Sequence, residues 1–279
     1  MKKTLLSLAL IANLGLAGCS TLSELIEKPD EKKTVEEFYK DATEGFAEQQ
    51  WDIAIENYEK LKAFFPYGAY AEQSYLELSY AYYKYDEPES AIRELEEFIR
   101  LYPKHTQLPY AYYLRALSAD SVTKSWLDNF VTDPASRDTK SAERAFSYYS
   151  ELTQLFPDSE YTGAARERLI VLRNQMARRE LLVAQFYMER QAYNAAISRA
   201  KIVLEKYPRA ASTGDALQLL INAYDKMGMV ENRDMVAEVY KINLGNLKIT
   251  EESKQLTAQK EKEAGWWSKI TQSITDIFD

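Results

Sequence analysis

Between Trp51 and Pro66 the chain sets apolar against polar positions with a helical period. A small alanine stands at 54, a large ring at Tyr58 and a leucine at 61, and the stretch ends in the aromatic–proline pair Phe65–Pro66. Residues three and four apart share one face of a helix, so Ala54, Tyr58 and Leu61 form one buried stripe. The small alanine lets a neighbouring helix approach closely. Proline then ends the helix, because it lacks an N–H and restricts the residue before it. The same frame returns three times, as Ala91 with Tyr102–Pro103, Ala145 with Phe156–Pro157 and Ala196 with Tyr207–Pro208. Four copies in a chain of only eight prolines mark a repeated unit, the second helix of a helical hairpin.

Apolar spacing supplies the other helices. Thr34 is placed as an N-cap with Glu37 three residues later, and the first helix runs over 35–49 with Phe38, Tyr39, Ala42 and Phe46 on one side. Trp51 opens its partner. The second hairpin pairs 71–85 with 90–102 across a turn at Asp86–Glu89. The third begins at 109–121, where YLRALSA matches the YLELSYA of the second. Its second helix is delayed to about Thr139 by an insertion, 120–139, that is polar around an apolar centre of Trp126, Leu127, Phe130 and Val131. An insertion in a packed hairpin must project, and projecting loops carry contacts. Beyond Pro157, helical patterns at 162–176 and 180–190 read as one long helix or two. The last hairpin pairs 213–227 with 230–244 across Gly228, and there the alanine–proline frame is lost, as expected of a terminal repeat. The step from Ala54 to Ala91 equals that from Pro66 to Pro103 and is close to the roughly 34-residue period of the tetratricopeptide repeat, which the pattern resembles. The expected fold is all-α, an α-solenoid of about five tetratricopeptide-like hairpins. Its N-terminal half spans 34–157 and its C-terminal half 158–244.

The two ends read differently. Lys2 and Lys3 precede a short apolar run that closes on Leu16-Ala17-Gly18-Cys19, a bacterial lipobox whose cysteine is the only one in the chain. Residues 1–18 are therefore expected to be a removed signal peptide and Cys19 the lipidated, acylated first residue, with several chains anchoring firmly where one is marginal. Ser20 points, by analogy with bacterial lipoproteins, to the periplasmic face of the outer membrane. Residues 19–33 are expected to be a polar tether. No other segment approaches the roughly 18 apolar residues of a membrane span. At the far end, 245–264 lack apolar period, and Trp266, Ile270, Ile274 and Phe278 then recur every fourth residue. The 245–279 tail is expected to be flexible with a short amphipathic helix, which either docks on a partner or membrane or is a frayed end.

Composition narrows the chemistry. A net charge of −8 argues against nucleic acid as the main partner. One Cys and one His leave no zinc set, and no cofactor or metal is expected. His105 falls in the turn after Pro103 and is expected to be a loop histidine. The acid pairs Glu36–Glu37 and Glu96–Glu97 are adjacent on helices and point apart. No nucleophile elbow, phosphate loop or metalloprotease motif occurs, so an enzyme is not expected. In stacked hairpins the first helices line the concave side, which would present Tyr39, Phe46, Tyr80, Tyr83 and Lys84 beside the loop Pro66–Tyr70. That groove suits an extended peptide with aromatic side chains and a terminal carboxylate. The alternative for each tyrosine is hairpin core.

The lipobox and the blocks FFPYGAYAEQSYLELSYAYYK, EFIRLYPKH, RDTKSAERAFSYYSELTQLFPDSEY and MERQAYNAAISRAKIVLEKYP, in this order and spacing, resemble the BamD family of outer-membrane β-barrel assembly lipoproteins. The resemblance covers about residues 16–244. It implies a five-repeat array that binds the POTRA domains of BamA, the lipoproteins BamC and BamE, and unfolded outer-membrane proteins, whose C-terminal aromatic signals meet the first repeats. The family's aromatic–proline–aromatic–glycine loop matches Phe65, Pro66, Tyr67 and Gly68. Its POTRA-binding arginine matches Arg199, which would pair with an acid of BamA. Asp52 stands where the family often carries a basic residue, and the tail past Leu244 is longer than the family's, so no role is carried over to it. Client binding at one end could be coupled to the pose on BamA at the other. A different helical-repeat lipoprotein, an adaptor for a periplasmic protease or a peptidoglycan enzyme, is the alternative.

Overall fold

In the computed structural model, residues 29–122 and 139–242 are described, and helices dominate them. Among the described residues, ten α-helices follow a 3-10 turn at Asp30–Lys32. They are α1 (Val35–Ala47), α2 (Trp51–Phe64), α3 (Ala69–Lys84), α4 (Pro88–Leu101), α5 (Leu108–Ser121), α6 (Thr139–Leu155), α7 (Glu160–Glu189), α8 (Tyr193–Lys206), α9 (Thr213–Lys226) and α10 (Val230–Ile242). None is long and apolar enough to cross a membrane among the described residues. The fold is all-α, built of successive hairpins. Cys19, most of the 120–139 insertion and the 245–279 tail lie outside the described residues.

Packing divides the chain into two units, up to Glu87 and from Pro88 onward. The N-terminal and C-terminal halves drawn at 157 are a different division, and it does not coincide with this one. In the first unit α1 packs on α2 and α2 on α3. Thr34 caps α1 as expected: its Oγ1 accepts the Glu37 amide, and the Glu37 carboxylate accepts the Thr34 amide at 2.7 Å. Gly45 and Ala54 set how closely α1 and α2 approach, because a Cβ on Gly45 would lie 3.1 Å from the Ala54 nitrogen. The end of the supposed tether belongs to this unit. Lys33 is buried and pairs with Asp41 at 2.9 Å, and Asp30 pairs with Lys60 at 3.1 Å. Two local ion pairs therefore turn Pro29–Lys33 back onto α1 and α2, where composition alone reads a polar linker.

In the second unit each helix from α4 to α10 packs on the next. The four frame alanines, Ala54, Ala91, Ala145 and Ala196, are fully buried. Residues 160–189 form one helix of 30 residues, capped by Ser159, whose hydroxyl accepts the Tyr161 amide. No proline falls within it, and its straight-chain residues favour helix throughout. Ala177, Leu181 and Ala184 of its second half share a core with Ala196, Ala200 and Val203 of α8 and with Ala216, Leu220 and Ala223 of α9. Pro88 and Glu89 belong to α4 rather than to the turn before it, since proline suits a first helical turn. The turn itself is made by Asp86 at φ +63°, as Gln49 and Gln191 make theirs at +59°. Gly228 ends α9 at φ +69°. The last helix, α10, buries no residue.

Candidate functional site

The first unit carries a continuous run of rings. Tyr39 and Phe46 lie two turns apart on α1 and face the same way. Tyr70, in the first turn of α3, stands 4.9 Å from Tyr39, which lies 6.3 Å from Tyr58 of α2. Tyr58 is 6.5 Å from Phe46. Phe46 then meets Trp51 at 5.4 Å, edge to face, and Tyr80 at 5.5 Å. Tyr83 follows Tyr80 at 6.3 Å. The Lys84 ammonium closes the run, 5.9 Å from the Trp51 ring and 6.0 Å from that of Tyr80.

Exposure sorts these rings into floor and face. Tyr58 and Tyr80 are buried, with Tyr80 only 4% exposed, so they form the floor. Tyr39, Phe46, Trp51 and Tyr83 are partly exposed, and Lys84 is exposed. An apolar strip of ring edges with an ammonium at one end offers stacking surface along its length and charge pairing at its terminus.

Beneath the strip lies an acid that sequence reading missed. Glu77 of α3 is 5% exposed, and one of its oxygens accepts from Tyr39 and from Gln73, each at 3.0 Å. Burial raises its carboxyl above the usual glutamate range, opposed by the hydrogen bonds from Gln73 and Tyr39 and by the Tyr58 hydroxyl beside it. The same burial, and then the Glu77 charge, push the Tyr39 and Tyr58 hydroxyls up, which keeps both protonated and leaves Tyr39 as a donor to Glu77. Glu77 fixes the orientation of Tyr39 and so the shape of the strip. Its signal in the sequence is position: it is the one acid inside the otherwise apolar turns of YLELSYAYYK. Trp51 was legible only as a helix start, and its place opposite Lys84 depends on how α2 and α3 pair.

The other expected positions fall elsewhere. Phe65 is half-buried against Phe38, with ring centres 6.3 Å apart, and Phe38 also stacks on Phe64 at 5.6 Å. Tyr67 is 88% exposed, and Gly68 holds φ +104°. These three lie where α2 ends and α3 begins, at the opposite end of that pair from Trp51 and Lys84. Tyr70, two residues beyond Gly68, links them to the strip. Arg199 lies in the second unit on α8, where its Nη1 meets the Glu180 carboxylate of α7 at 3.1 Å. Its side chain is 43% exposed, so an outside acid has access to it. The His105 ring packs edge-on against Phe98 at 5.1 Å, and its Nδ1 accepts the Gln107 amide at 3.1 Å, a turn-stabilising role. Among the described residues no group of three or more His, Cys, Asp or Glu side chains is arranged to hold a metal ion.

Comparison with known proteins bears on both units. The profile of the YfiO family, described as "Outer membrane lipoprotein", matches residues 31–239. An outer membrane protein assembly factor BamD from Neisseria meningitidis is 35% identical over 82% of this chain and 86% of its own length. One from Vibrio cholerae is 32% identical over 82% of this chain and 93% of its own. Among solved structures, the TPR2AB-domain:pHSP90 complex of yeast Sti1 aligns over 85% of this chain and 95% of that one, at 12% identity and a TM-score of 0.41, too low for a likeness to carry weight.

Proposed function

This chain belongs to the YfiO family of outer membrane lipoproteins, the family of the assembly factor BamD, and we propose that it is a scaffold of outer-membrane β-barrel assembly. Its relatives are named assembly factors, and it is a helical scaffold rather than an enzyme. In this reading Cys19 carries the lipid that holds the protein at the periplasmic face of the outer membrane. The first unit receives the C-terminal segment of an unfolded barrel protein: Phe46, Trp51 and Tyr83 stack on its aromatic side chains over the Tyr80 floor, and Lys84 pairs with its terminal carboxylate. Tyr39 extends the strip toward Tyr67 and Gly68, with Phe65 supporting that end. The second unit binds BamA through its POTRA domains, with Arg199 exchanging Glu180 for an acid of the partner, and BamC and BamE join the same assembly. The single observation that carries the client half is the unbroken ring-to-ring run from Tyr70 to Lys84.

The test is a pull-down of the tagged full-length chain from solubilised outer membranes. BamA, BamC and BamE should dominate the bound fraction. Enrichment of a periplasmic protease or a peptidoglycan enzyme without BamA would favour the adaptor role instead. Arg199→Glu should lose BamA at unchanged helicity by circular dichroism, and unchanged BamA recovery would remove Arg199 from the contact.

A further inference from the structure

The second unit contains a cluster of donors without acceptors. Arg173 and Asn174 are neighbours in the middle of α7, and Asn174 meets the loop that leads into α9. The Asn174 Oδ1 accepts the Ala211 amide at 3.0 Å, which fixes the orientation of the side chain and leaves its Nδ2 as the spare donor. That Nδ2 is buried without a hydrogen-bond partner, and Asn174 as a whole is only 9% exposed. The Arg173 Nε is likewise buried and unpartnered. Arg209, exposed on the same loop, acts on Arg173 as a like charge, and together with burial it disfavours the charged guanidinium. The loop ends at Ser212, whose side chain does not cap α9, so the positive end of that 14-residue helix is not covered from its own N-cap.

Every polar atom left over here is a donor. A buried donor without an acceptor costs free energy, and two guanidiniums held together repel. Neither a cation nor a neutral ligand relieves this, whereas one anion relieves all of it. Two full positive charges and a spare amide exceed what a single carboxylate balances, while a tetrahedral dianion matches both the charge and the number of donors. Arg209 is the exposed member of the cluster. Asp215, in the first turn of α9, is exposed and limits the site to one small group rather than a broad anionic surface.

We propose that Arg173, Asn174 and Arg209, with the first turn of α9, form a binding site for one phosphate-type oxyanion, supplied as free phosphate or as the headgroup phosphate of a lipid.

The experiment follows the Arg Nε–H and Asn Nδ2–H signals of the full-length chain by NMR during titration with inorganic phosphate, with sodium chloride at matched ionic strength as reference. The Arg173 and Asn174 signals should shift saturably with phosphate and not with chloride. Arg173→Gln and Arg209→Gln should each weaken phosphate binding about tenfold or more. Arg209 lies on an exposed loop, so its variant retains the fold and keeps the test decisive. Vesicles containing phosphatidylglycerol identify the source: competition with phosphate assigns the headgroup, and its absence assigns the free ion. Equal shifts with chloride, or saturation by acetate in preference to phosphate, would overturn the assignment.

Discussion

The two units solve the same packing problem with different side chains. In the first, α1, α2 and α3 meet through rings, with one buried carboxylate, Glu77, serving two hydrogen bonds. In the second, rings also meet, with Tyr113 of α5 against Tyr149 of α6 and Tyr161 of α7, but arginine–carboxylate pairs tie α4 to α7 as well. Asp120 at the end of α5 is fully buried and takes both ends of Arg168 of α7, at 2.6 and 2.9 Å. Arg115 of α5 pairs with Glu151 of α6 over the Tyr148 ring, and Arg144 of α6 grips Glu89 of α4. From α7 to α9 the contact is mainly between alanines. Ring surfaces leave edges partly open and accept a foreign ring in several poses. Forked ion pairs and small-residue contacts fix one geometry, and the exposed apolar side chains of this unit, such as Phe186 and Ile242, are not joined into a ring-to-ring run like that of the first. The difference suits a unit that receives varied peptides and a unit that holds a fixed partner.

Variants that attack the rigid side should have the largest effects. Asp120→Ala removes the fully buried carboxylate that takes Arg168 at two oxygens and should cost about 3–5 kcal/mol in urea unfolding. A loss comparable to that of an exposed pair such as Arg100–Glu97 would show that the buried fork does not organise the unit. Ala196→Trp overpacks the α7–α8 contact and should cost about 1–3 kcal/mol or more, read from the melting curve. A wild-type melting curve would mean that the small residue is not what sets the helix approach.

On the ring side the expected effect is smaller and depends on pH. Because burial raises the Glu77 carboxyl, the folded protein keeps that proton to higher pH than the unfolded chain does. Stability from this group is therefore full below the ordinary glutamate range and is lost as pH rises through the raised value. Glu77→Gln keeps an oxygen for Tyr39 and Gln73 and removes the charge. Its unfolding midpoint should lose that pH slope and exceed the wild type at neutral pH. Parallel pH profiles for the two proteins would contradict the buried-acid account.

Much of the fold could be read from single residues. The alanine–proline frame located four fully buried alanines, Thr34 and Glu37 announced the capping box, and Gly228 marked a positive φ. These signals are local, so the sequence carries them directly. Features joining distant positions were not legible. Trp51 meets Lys84, Tyr39 meets Glu77 and Asp120 meets Arg168 only because helices pair in a particular rotation. Lys33 reads as a linker charge until Asp41 is seen beside it. Tyr80 was expected in the groove wall and lies beneath it, since Phe46 and Trp51 both pack on its ring. The long α7 was ambiguous because nothing in 162–190 distinguishes a break from a continuous helix except the absence of proline.

The division of labour between the units is tested most directly by photo-crosslinking. A photoreactive residue placed at Tyr83, beside the ring strip, is compared with one at Phe186, an exposed ring of the second unit. The probe is a barrel-protein C-terminal peptide with a terminal aromatic and a free carboxylate. The account predicts strong crosslinking from 83, little from 186, and loss of the product at 83 when the peptide's last aromatic becomes alanine. Equal crosslinking from both positions, or a product at 83 indifferent to that aromatic, would contradict it.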